Sequence, residues 1–353
     1  MKAVILAGGE GTRLRPLTLS TPKAVVPVVD RPFLRHQLDL LRTVGVKDVV
    51  LALAYRPDRV EAVFGDGRAL GMKIHYAVEE TPLGTGGAVK NAEGLLDGRT
   101  IVFNGDVLTD VDLREVVAAH EATRASATLV LAPVPNPAAY GLVETDGGGR
   151  VLRFIEKPDP AQITTDTINA GIYVLETPVL ELIPPAVSHS IERAFFPALL
   201  ARGDQVSAHI HRGYWIDIGT PAKYLQVHRD ILSRRFPVDL QGQRTGEGWV
   251  HAGARLGAGA TLEGAFYVGP GCEVSGGAQL GAGAVLVQDV RLGTGARVRD
   301  SVLWAGCEIG ADALVAGSLL GPGVRVGARA SVVDAVLGEG SVVSDFSRTE
   351  GLR

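Results

Sequence analysis

Apolar runs alternate with amphipathic stretches from the N-terminus to about residue 232. The runs indicate buried strands, because they are short and bounded by turn-forming residues. They are Val4–Leu6, Val49–Leu53, Lys73–Val78 and Ile101–Phe103. The intervening stretches place apolar residues at helical spacing and predict helices that begin near Pro32, at Pro57, at Ala88 and at Asp112. Strands interleaved with helices favour an α/β fold with a mostly parallel sheet, in which ligands bind at the carboxyl ends of the strands.

A different period governs the chain after residue 250. Aliphatic residues recur at every sixth position, namely Leu256, Leu262, Val268, Val274, Leu280, Leu286, Leu292 and Val298. The end of the chain adds a repeat of about 17 residues, in which Ser301–Gly306 aligns with Ser318–Gly323 and with Ala335–Gly340. A period of six predicts a parallel β-helix of hexapeptide repeats, whose triangular coils bury one aliphatic residue per side.

Composition supports a division of the chain at this change of period. Twenty of the 45 glycines lie between Gly253 and Gly340, and Gln241–Gly248 is polar and contains glycine. We therefore expect an α/β domain over residues 1–235, a linker over residues 236–250 and a β-helix domain over residues 251–353.

Charge and cysteine content limit the classes of partner. Lys and Arg number 35 against 39 Asp and Glu, so the net charge of −4 argues against a non-specific nucleic-acid or membrane binder. Two cysteines, Cys272 and Cys307, form neither a disulfide framework nor a metal cluster. The start of the chain lacks the features of a signal peptide, and no apolar run approaches ~18 residues. We expect a cytoplasmic protein with neither nucleic-acid nor membrane partners.

The most concentrated chemistry follows the first strand. Gly8, Gly9 and Gly11 let the backbone turn and bring N–H groups close to an anion. Arg13 adds a planar charged fork suited to phosphate oxygens, and Lys23 follows between two prolines. The dinucleotide pattern fails because Leu14 stands where the third glycine belongs, and no Gly-Lys-Ser/Thr completes a P-loop. We interpret the stretch as a triphosphate-binding loop.

The segment Gly8–Leu14, with Pro16, Thr18, Pro22–Lys23 and Pro27, resembles the signature of the sugar-nucleotide pyrophosphorylases, a nucleotidyltransferase family. Further motifs follow in the family's order: Pro82–Gly86, Asn104–Asp106, Tyr140–Val143, Glu156–Pro158, Asn169–Gly171 and Trp215–Thr220. The tail is similar to that of long members, most closely the mannose-1-phosphate guanylyltransferases. The resemblance implies a Rossmann-like nucleotidyltransferase domain followed by a left-handed parallel β-helix.

The resemblance also implies a reaction and roles for single residues. An oxygen of a sugar 1-phosphate attacks the α-phosphorus of a nucleoside triphosphate, and pyrophosphate leaves. Arg13 would hold the leaving phosphates, Lys23 would contact the transferring phosphate, and Asp106 with Asp217 would hold Mg²⁺. The residues implied for the nucleotide are Leu6, Ala7, Gly8, Gly9, Gly11, Thr12, Glu79, Pro82, Gly84 and Thr85. Those implied for the sugar phosphate are Gly141, Glu156, Lys157 and Asn169.

The residues alone leave plainer interpretations open at three places, one of them Asn169, which could be a simple turn residue. Gly105–Asp106 is a common turn pair, so Asp106 has a purely structural alternative. Glu156 and Lys157 have the form of a solvated ion pair at a strand end.

The base and the sugar are the least determined features. Guanine presents N–H donors that a carboxylate would accept, and we favour Glu79 over Glu80 for this contact. Gly86 stands where the family usually has alanine, and similar loops occur in thymidylyl- and adenylyltransferases. We expect GTP and mannose 1-phosphate as substrates.

Three alternatives to these substrates and this activity stay open. Glucose 1-phosphate with dTTP or UTP would keep the chemistry and change the substrates, and a catalytically silent regulatory homologue would keep the fold alone. Hexapeptide acyltransferases use a histidine as base, but His251 is the one histidine of the tail and lies at its entrance. By analogy with the family, we also expect a homo-oligomer.

Overall fold

The computed structural model of the chain describes residues 1–156 and 158–351. These residues form two compact units. The first unit contains Met1–Glu10 and Leu34–Asp217, and the second contains Gly11–Phe33 and the residues from Ile218 onward. The division between them falls inside the glycine-rich segment.

The α-helices are α1 (Phe33–Thr43), α2 (Pro57–Phe64), α3 (Gly84–Asn91), α4 (Leu113–Thr123), α5 (Phe196–Arg202) and α6 (Pro221–Leu232). The strands up to residue 217 are β1 (Lys2–Leu6), β2 (Pro27–Val28), β3 (Arg31–Pro32), β4 (Asp48–Leu53), β5 (Lys73–Val78), β6 (Arg99–Asn104), β7 (Val107–Thr109), β8 (Ala127–Pro133), β9 (Gly141–Thr145), β10 (Val151–Glu156), β11 (Thr167–Glu176), β12 (Val206–Ile210) and β13 (Trp215–Asp217).

The first unit is built on a nine-stranded sheet in which β1 is central. β1 pairs in parallel with β4 on one side and with β6 on the other. Val4 and Ile5 of this strand are fully buried. The predicted α/β class is therefore confirmed. The long strand β11 runs antiparallel to β6, β8 and β9, which adds an antiparallel section to the sheet.

The predicted bounds of individual helices and strands agree with the structure at most of the predicted elements. The helix α2 and the strand β5 have the predicted bounds, and the Asp112 carboxylate caps α4 by accepting from the Arg114 N–H at 2.9 Å. The helix α3 was expected to begin at Ala88 but begins at Gly84. Low helix propensity of glycine suggested a loop there, whereas tertiary hydrogen bonds hold these glycines in the helix.

The strands of the second half are short and evenly spaced. They are β14 (Gln243–Thr245), β15 (Gly248–Val250), β16 (Arg255–Leu256), β17 (Thr261–Leu262), β18 (Tyr267–Val268), β19 (Glu273–Val274), β20 (Gln279–Leu280), β21 (Val285–Leu286), β22 (Arg291–Leu292), β23 (Arg297–Arg299), β24 (Val302–Leu303), β25 (Glu308–Ile309), β26 (Leu314–Ala316), β27 (Leu319–Leu320), β28 (Arg325–Val326), β29 (Ser331–Val333), β30 (Val336–Leu337), β31 (Val342–Val343) and β32 (Arg348–Glu350). Because β14 and β15 lie within residues 236–250, the stretch expected to be a linker contains ordered strands.

The strands from β15 to β32 stack into three parallel sheets, which confirms the β-helix, and β14 pairs antiparallel with β15. Every third strand pairs with the next coil: Tyr267 faces Val285, eighteen residues later, and Val285 faces Val302, seventeen residues later. The predicted inward residues from Val268 to Val298 are buried, and so are both cysteines. Leu256 was expected to be buried but is 42% exposed, because the first coil has no coil before it to cover this position.

Residues 11–33 and α6 are packed onto the β-helix within the second unit. The Tyr224 hydroxyl of α6 donates to the Pro27 carbonyl, and its ring meets Trp304 edge-on at 6.3 Å. Arg229 adds a bidentate ion pair with Asp300, with both N–O distances at 2.6 Å. None of the helices described is both long enough and apolar enough to cross a membrane.

Candidate active site

The glycine segment begins at the carboxyl end of β1, where two neighbouring strands also end. Ala7 N–H donates to the Ala52 carbonyl at 2.9 Å, and Gly105 N–H donates to the Leu6 carbonyl at 2.9 Å. A Cβ added at Gly105 would overlap the Leu6 carbonyl, so this close approach requires glycine. The predicted residues Leu6, Ala7 and Gly8 therefore lie directly beside the turn that carries Asp106.

The second half of the signature lies in the second unit, where Gly11 and Lys23 are neighbours. Gly11 has a φ of +64°, and a Cβ added there would lie 3.3 Å from the Lys23 Cβ. The Thr18 hydroxyl donates to the Gly11 carbonyl at 2.7 Å and fixes this approach. Thr12 and Arg13 are exposed in the short 3₁₀ turn that follows Gly11. A glycine backbone and two cations are thus grouped in one segment, a combination suited to phosphate oxygens.

Asp106 and Asp217 are brought together by a pair of short antiparallel strands. Asp217 ends β13 and lies opposite Val107, the first residue of β7. Because Asp106 directly precedes Val107, the two acidic residues occupy adjoining positions. The Gln37 amide donates to the carbonyls of Asn104 and Val107 at 2.9 and 2.8 Å, and it holds the intervening turn in place.

These two carboxylates fit a magnesium ion better than they fit a softer metal. Mg²⁺ is commonly bound by one or two carboxylates and completes its shell with phosphate oxygens and water. Within residues 1–156 and 158–351, no group of three or more His, Cys, Asp or Glu side chains has the arrangement of a metal site. A pair of oxygen donors matches a hard ion that the substrate helps to hold.

The predicted sugar-phosphate residues Gly141 and Glu156 face each other across β9 and β10. A Cβ added at Gly141 would lie 2.7 Å from the Glu156 Oε2, so the carboxylate lies directly over the bare backbone. Lys157, predicted beside them, lies outside the described residues. The Tyr140 and Trp215 rings pack edge-to-face at 5.5 Å, and Trp215 Nε1 donates to the Ala170 carbonyl at 2.9 Å. These contacts tie the start of β9 and the strand β13 to the irregular section of β11 that follows Asn169.

Asn169 belongs to a partly buried polar cluster that includes Tyr173, a residue not assigned from the sequence. Its Nδ2 donates to the Tyr173 hydroxyl at 2.7 Å, and its Oδ1 accepts from the Gly171 N–H at 3.1 Å. Burial raises the pKa of Tyr173 well above its ordinary value, so the hydroxyl stays protonated. Asn104 lies opposite Leu6 in the sheet and packs against Gly171.

From the sequence, Asn104 is only the first residue of the motif Asn104–Asp106. In the structure it lies between the end of β1 and Gly171 of β11. Its Oδ1 is buried and has no hydrogen-bond partner among the described residues. A buried acceptor in this state is costly, and a substrate hydroxyl would satisfy it. The Asn-Gly-Asp motif marks Asn104 in the sequence. The sequence does not show that Asn104 pairs with Leu6 in the sheet.

Glu79, predicted to contact the base, directly follows β5 and has a structural hydrogen bond. Its Oε2 accepts from the Leu83 N–H at 2.8 Å and closes the loop that contains Pro82. The residue is 9% exposed. Burial raises the pKa of its carboxyl, an effect that the Leu83 N–H partly offsets. A contact with a base through this carboxylate would therefore use its other oxygen.

The start of α3 is held by a segment that the sequence did not indicate. The Thr85 hydroxyl donates to the Glu192 carboxylate at 2.8 Å and accepts from the Ile191 N–H at 2.9 Å. Gly86 N–H donates to the His189 carbonyl at 2.8 Å. A Cβ added at Gly86 would lie 3.1 Å from both the ring and the carbonyl of His189, which gives a physical reason for glycine at this position.

Two models of known protein families match this chain. Residues 2–234 match the family model described as nucleotidyl transferase, and residues 249–350 match the model described as GMPPB C-terminal domain. The chain therefore belongs to the nucleotidyl transferase family. It is 46% identical over 275 residues to a mannose-1-phosphate guanylyltransferase of Mycobacterium tuberculosis, covering 77% of this chain and 76% of that one. It is 37% identical over 318 residues to a mannose-1-phosphate guanyltransferase of Debaryomyces hansenii, covering 88% and 83%.

Solved structures give the same fold over about two thirds of the chain. HddC from Yersinia pseudotuberculosis, complexed with GMP-PN, superposes with a TM-score of 0.57 at 29% identity over 65% of this chain and 99% of that chain. A putative glucose-1-phosphate thymidylyltransferase from Bacillus anthracis superposes with a TM-score of 0.61 at 24% identity over 68% and 98%. At this lower identity the likeness concerns the fold alone.

Proposed function

We propose that this protein is a nucleotidyltransferase that forms GDP-mannose and pyrophosphate from GTP and mannose 1-phosphate. An oxygen of the sugar phosphate attacks the α-phosphorus of GTP, the bond from the α-phosphorus to the bridging oxygen breaks, and pyrophosphate leaves with that oxygen. The observation that carries the proposal is the adjoining position of Asp106 and Asp217 beside the turn that follows β1. The names of the relatives at 46% and 37% identity support the choice of substrates.

The chemistry calls for charge neutralisation and not for a general base. The attacking phosphate is already an anion, so catalysis depends on positioning and on stabilising crowded negative charge. We assign the leaving phosphates to Arg13 and the transferring phosphate to Lys23. The N–H groups of Gly8, Gly9 and Gly11 would supply further donors to phosphate oxygens.

We assign a magnesium ion to Asp106 and Asp217. When bound, such an ion neutralises phosphate charge and orients the phosphates for in-line displacement. Gln37 supports the assignment, because it fixes the backbone on both sides of Asp106. Trp215 supports it on the other strand by tying β13 to Ala170.

The sugar is assigned to the cluster around Gly141. Glu156 lies over this glycine and offers a carboxylate to sugar hydroxyls, while Asn169 and Asn104 offer amides. We retain Lys157 for the sugar phosphate on its chemistry alone. The buried Tyr173 hydroxyl orients the Asn169 amide, since it accepts from Nδ2.

Recognition of the base is assigned to the loop from Glu79 to Thr85. Glu79 shapes the loop through the Leu83 N–H, and its second oxygen is the proposed acceptor for guanine. The Thr85 side chain is engaged by Glu192 and Ile191, so we assign base contacts to the backbone of Gly84 and Thr85.

The alternatives are less well supported. A glucose-1-phosphate thymidylyl- or uridylyltransferase would use the same phosphate chemistry, but the curated relatives described above are named for mannose 1-phosphate and guanylyl transfer. A silent homologue is disfavoured because Arg13, Lys23, Asp106 and Asp217 are all present.

The proposal includes a cytoplasmic location and assembly with further copies of the chain. Val342 and Phe346, on the last coil of the β-helix, are each 70% exposed and would suit such an interface. Light scattering of the purified protein measures the assembly directly.

The test of the reaction is a matrix of substrates. GTP, dTTP, UTP and ATP are each incubated with mannose 1-phosphate and with glucose 1-phosphate, with and without Mg²⁺, and pyrophosphate is measured. We expect release with GTP, mannose 1-phosphate and Mg²⁺ together. Release only with dTTP or UTP and glucose 1-phosphate would contradict the substrate assignment, and no release with any pair would contradict nucleotidyl transfer.

A further inference from the structure

One face of the β-helix ends at β30, beyond which no further strand is described. On this face β27 pairs in parallel with β30, with Leu320 opposite Leu337. Gly321 and Gly338 follow these two strands directly, so they occupy the same position in successive coils. The two glycines can therefore be compared as an internal position and a terminal one.

Gly321 is covered by the coil that follows it. A Cβ added there would lie 3.0 Å from the Glu339 nitrogen and 3.1 Å from the Gly338 carbonyl carbon. Gly338 is covered by a different part of the chain, because a Cβ there would lie 3.0 Å from the Pro16 Cβ and 3.4 Å from its Cγ. Pro16 thus occupies, over the last coil, the place that the next coil's backbone occupies over Gly321.

Pro16 is joined to Arg13 by a series of tight turns. Leu14 N–H donates to the Gly11 carbonyl at 2.9 Å, and Leu17 N–H donates to the Leu14 carbonyl at 3.1 Å. Leu14 and Leu17 are 1% and 2% exposed, so both ends of the turn series are anchored in the core. We therefore expect a displacement at Pro16 to shift the 3₁₀ turn that carries Arg13, because only Leu14 and Arg15 separate the two residues.

Open space adjoins this contact. A cleft of about 530 Å³ lies beside it, lined by Pro16, Leu19 and Ser20 on one side and by residues 336–339 and Ser341 on the other. Pro16 therefore has room to move if Gly338 becomes larger. Gly338 does not have a positive φ, so its backbone accepts other residues, and the close contact with Pro16 is what disfavours a side chain there.

We propose that Gly338 is a positioning residue for nucleotidyl transfer: its bare backbone seats Pro16 and thereby sets the position of Arg13. The last coil of the β-helix is then part of the support of the phosphate-binding loop. This inference rests on the proposed role of Arg13, and it concerns a residue far from that loop in the sequence.

The test compares Gly338→Leu with Gly253→Leu, each made alone and in an Arg13→Ala background. Gly253 is an exposed glycine of the same unit without a positive φ, and a Cβ there would meet nothing closer than 3.4 Å. We expect Gly338→Leu to lower kcat/KM for GTP by about tenfold or more, since small misplacements of binding groups are costly. In the Arg13→Ala background the same change should lower kcat/KM less than about twofold. Gly253→Leu should have no effect in either background.

An equal loss from Gly338→Leu in both backgrounds, or no loss in either, would overturn the inference. Hydrogen exchange of residues 11–20 gives a second readout that does not depend on activity, and Gly338→Ala provides a milder variant if the leucine variant is poorly folded. Exchange of this segment should rise in the Gly338 variants and not in Gly253→Leu. Unchanged exchange in both Gly338 variants would overturn the inference, whereas full activity of Arg13→Ala would overturn the proposed function of Arg13 instead.

Discussion

The inward residues of the β-helix and the polar residues at the strand ends of the nine-stranded sheet are positioned by different means. In the β-helix each coil repeats the packing of the coil before it, so Val274 meets Leu292 in the same register in which Leu292 meets Ile309. In the sheet each strand end carries a different residue, and partners such as Asp217 and Val107 come from distant parts of the chain. Stability in the first region therefore depends on a local repeat, and chemistry in the second depends on single long-range contacts.

The largest effect is expected from a charged side chain at an inward position of the β-helix. Val274→Asp places an unpaired carboxylate at a position that is 1% exposed, and it should lower the free energy of unfolding of the β-helix by about 4 kcal/mol. Val342→Asp makes the same change at a residue that is 70% exposed. Thermal unfolding should show a large decrease in Tm for the first variant only. Equal Tm values for both variants would mean that the inward register is wrong.

The next largest effect is expected at the two adjoining acidic residues of the first unit, Asp106 and Asp217. Asp217→Asn weakens a proposed metal ligand and should lower turnover by about two orders of magnitude, or about 3 kcal/mol of barrier. Asp110→Asn is the matched control, because Asp110 directly follows β7 and accepts from the Tyr214 N–H at 2.7 Å through an oxygen that asparagine retains. Steady-state rates at saturating Mg²⁺ measure both. Near-normal turnover of Asp217→Asn would remove this residue from the metal site.

A pH effect should appear on α6. Burial lowers the pKa of His228 to about 4, against about 6.5 in an unfolded chain. Between these values the unfolded state binds the proton more readily than the folded state. The contribution of His228 to the free energy of unfolding is therefore fully present above pH 6.5, and it falls by about 3 kcal/mol as the pH decreases towards 4. His228→Phe should reduce the decline, as measured by denaturant unfolding across this pH range. An identical decline in both proteins would show that other groups cause it.

The smallest effect is expected at Gly86. Alanine would favour the helix α3 but would press on His189, so we expect the KM for GTP to rise only a few-fold, or about 1 kcal/mol. The double variant Gly86→Ala with His189→Ala relieves the ring contact and should recover most of the loss. A KM that stays raised in the double variant would assign the effect to the backbone contact with the His189 carbonyl.

The contrast between the regions also explains what could be predicted from the sequence. The β-helix could be predicted because its period is local, whereas the exposure of Leu256 in the first coil and the strands within residues 236–250 were missed. The strand order that joins β7 to β13 could not, because pairing over such a separation leaves no periodic signal in one sequence. For the same reason, the engagement of Thr85 by Glu192 and the position of Asn104 became visible only in the structure.

The grouping of residues 11–33 with the β-helix is a further feature that the sequence did not indicate. Motif order placed this segment in the first domain, whereas Pro16 and Pro27 make their contacts with the last coil and with α6. Apolar residues of the segment, such as Leu14, are as buried as core residues but have no period that would identify their partners.

The central claim is that the sugar phosphate and the α-phosphate of GTP become joined. The most direct measurement supplies GTP labelled at the α-phosphorus and mannose 1-phosphate labelled with a second phosphorus isotope. We predict that GDP-mannose carries both labels in equal amounts and that the pyrophosphate carries neither. Label from the α-phosphorus in the pyrophosphate, or a sugar nucleotide that lacks the phosphorus of mannose 1-phosphate, would contradict the account.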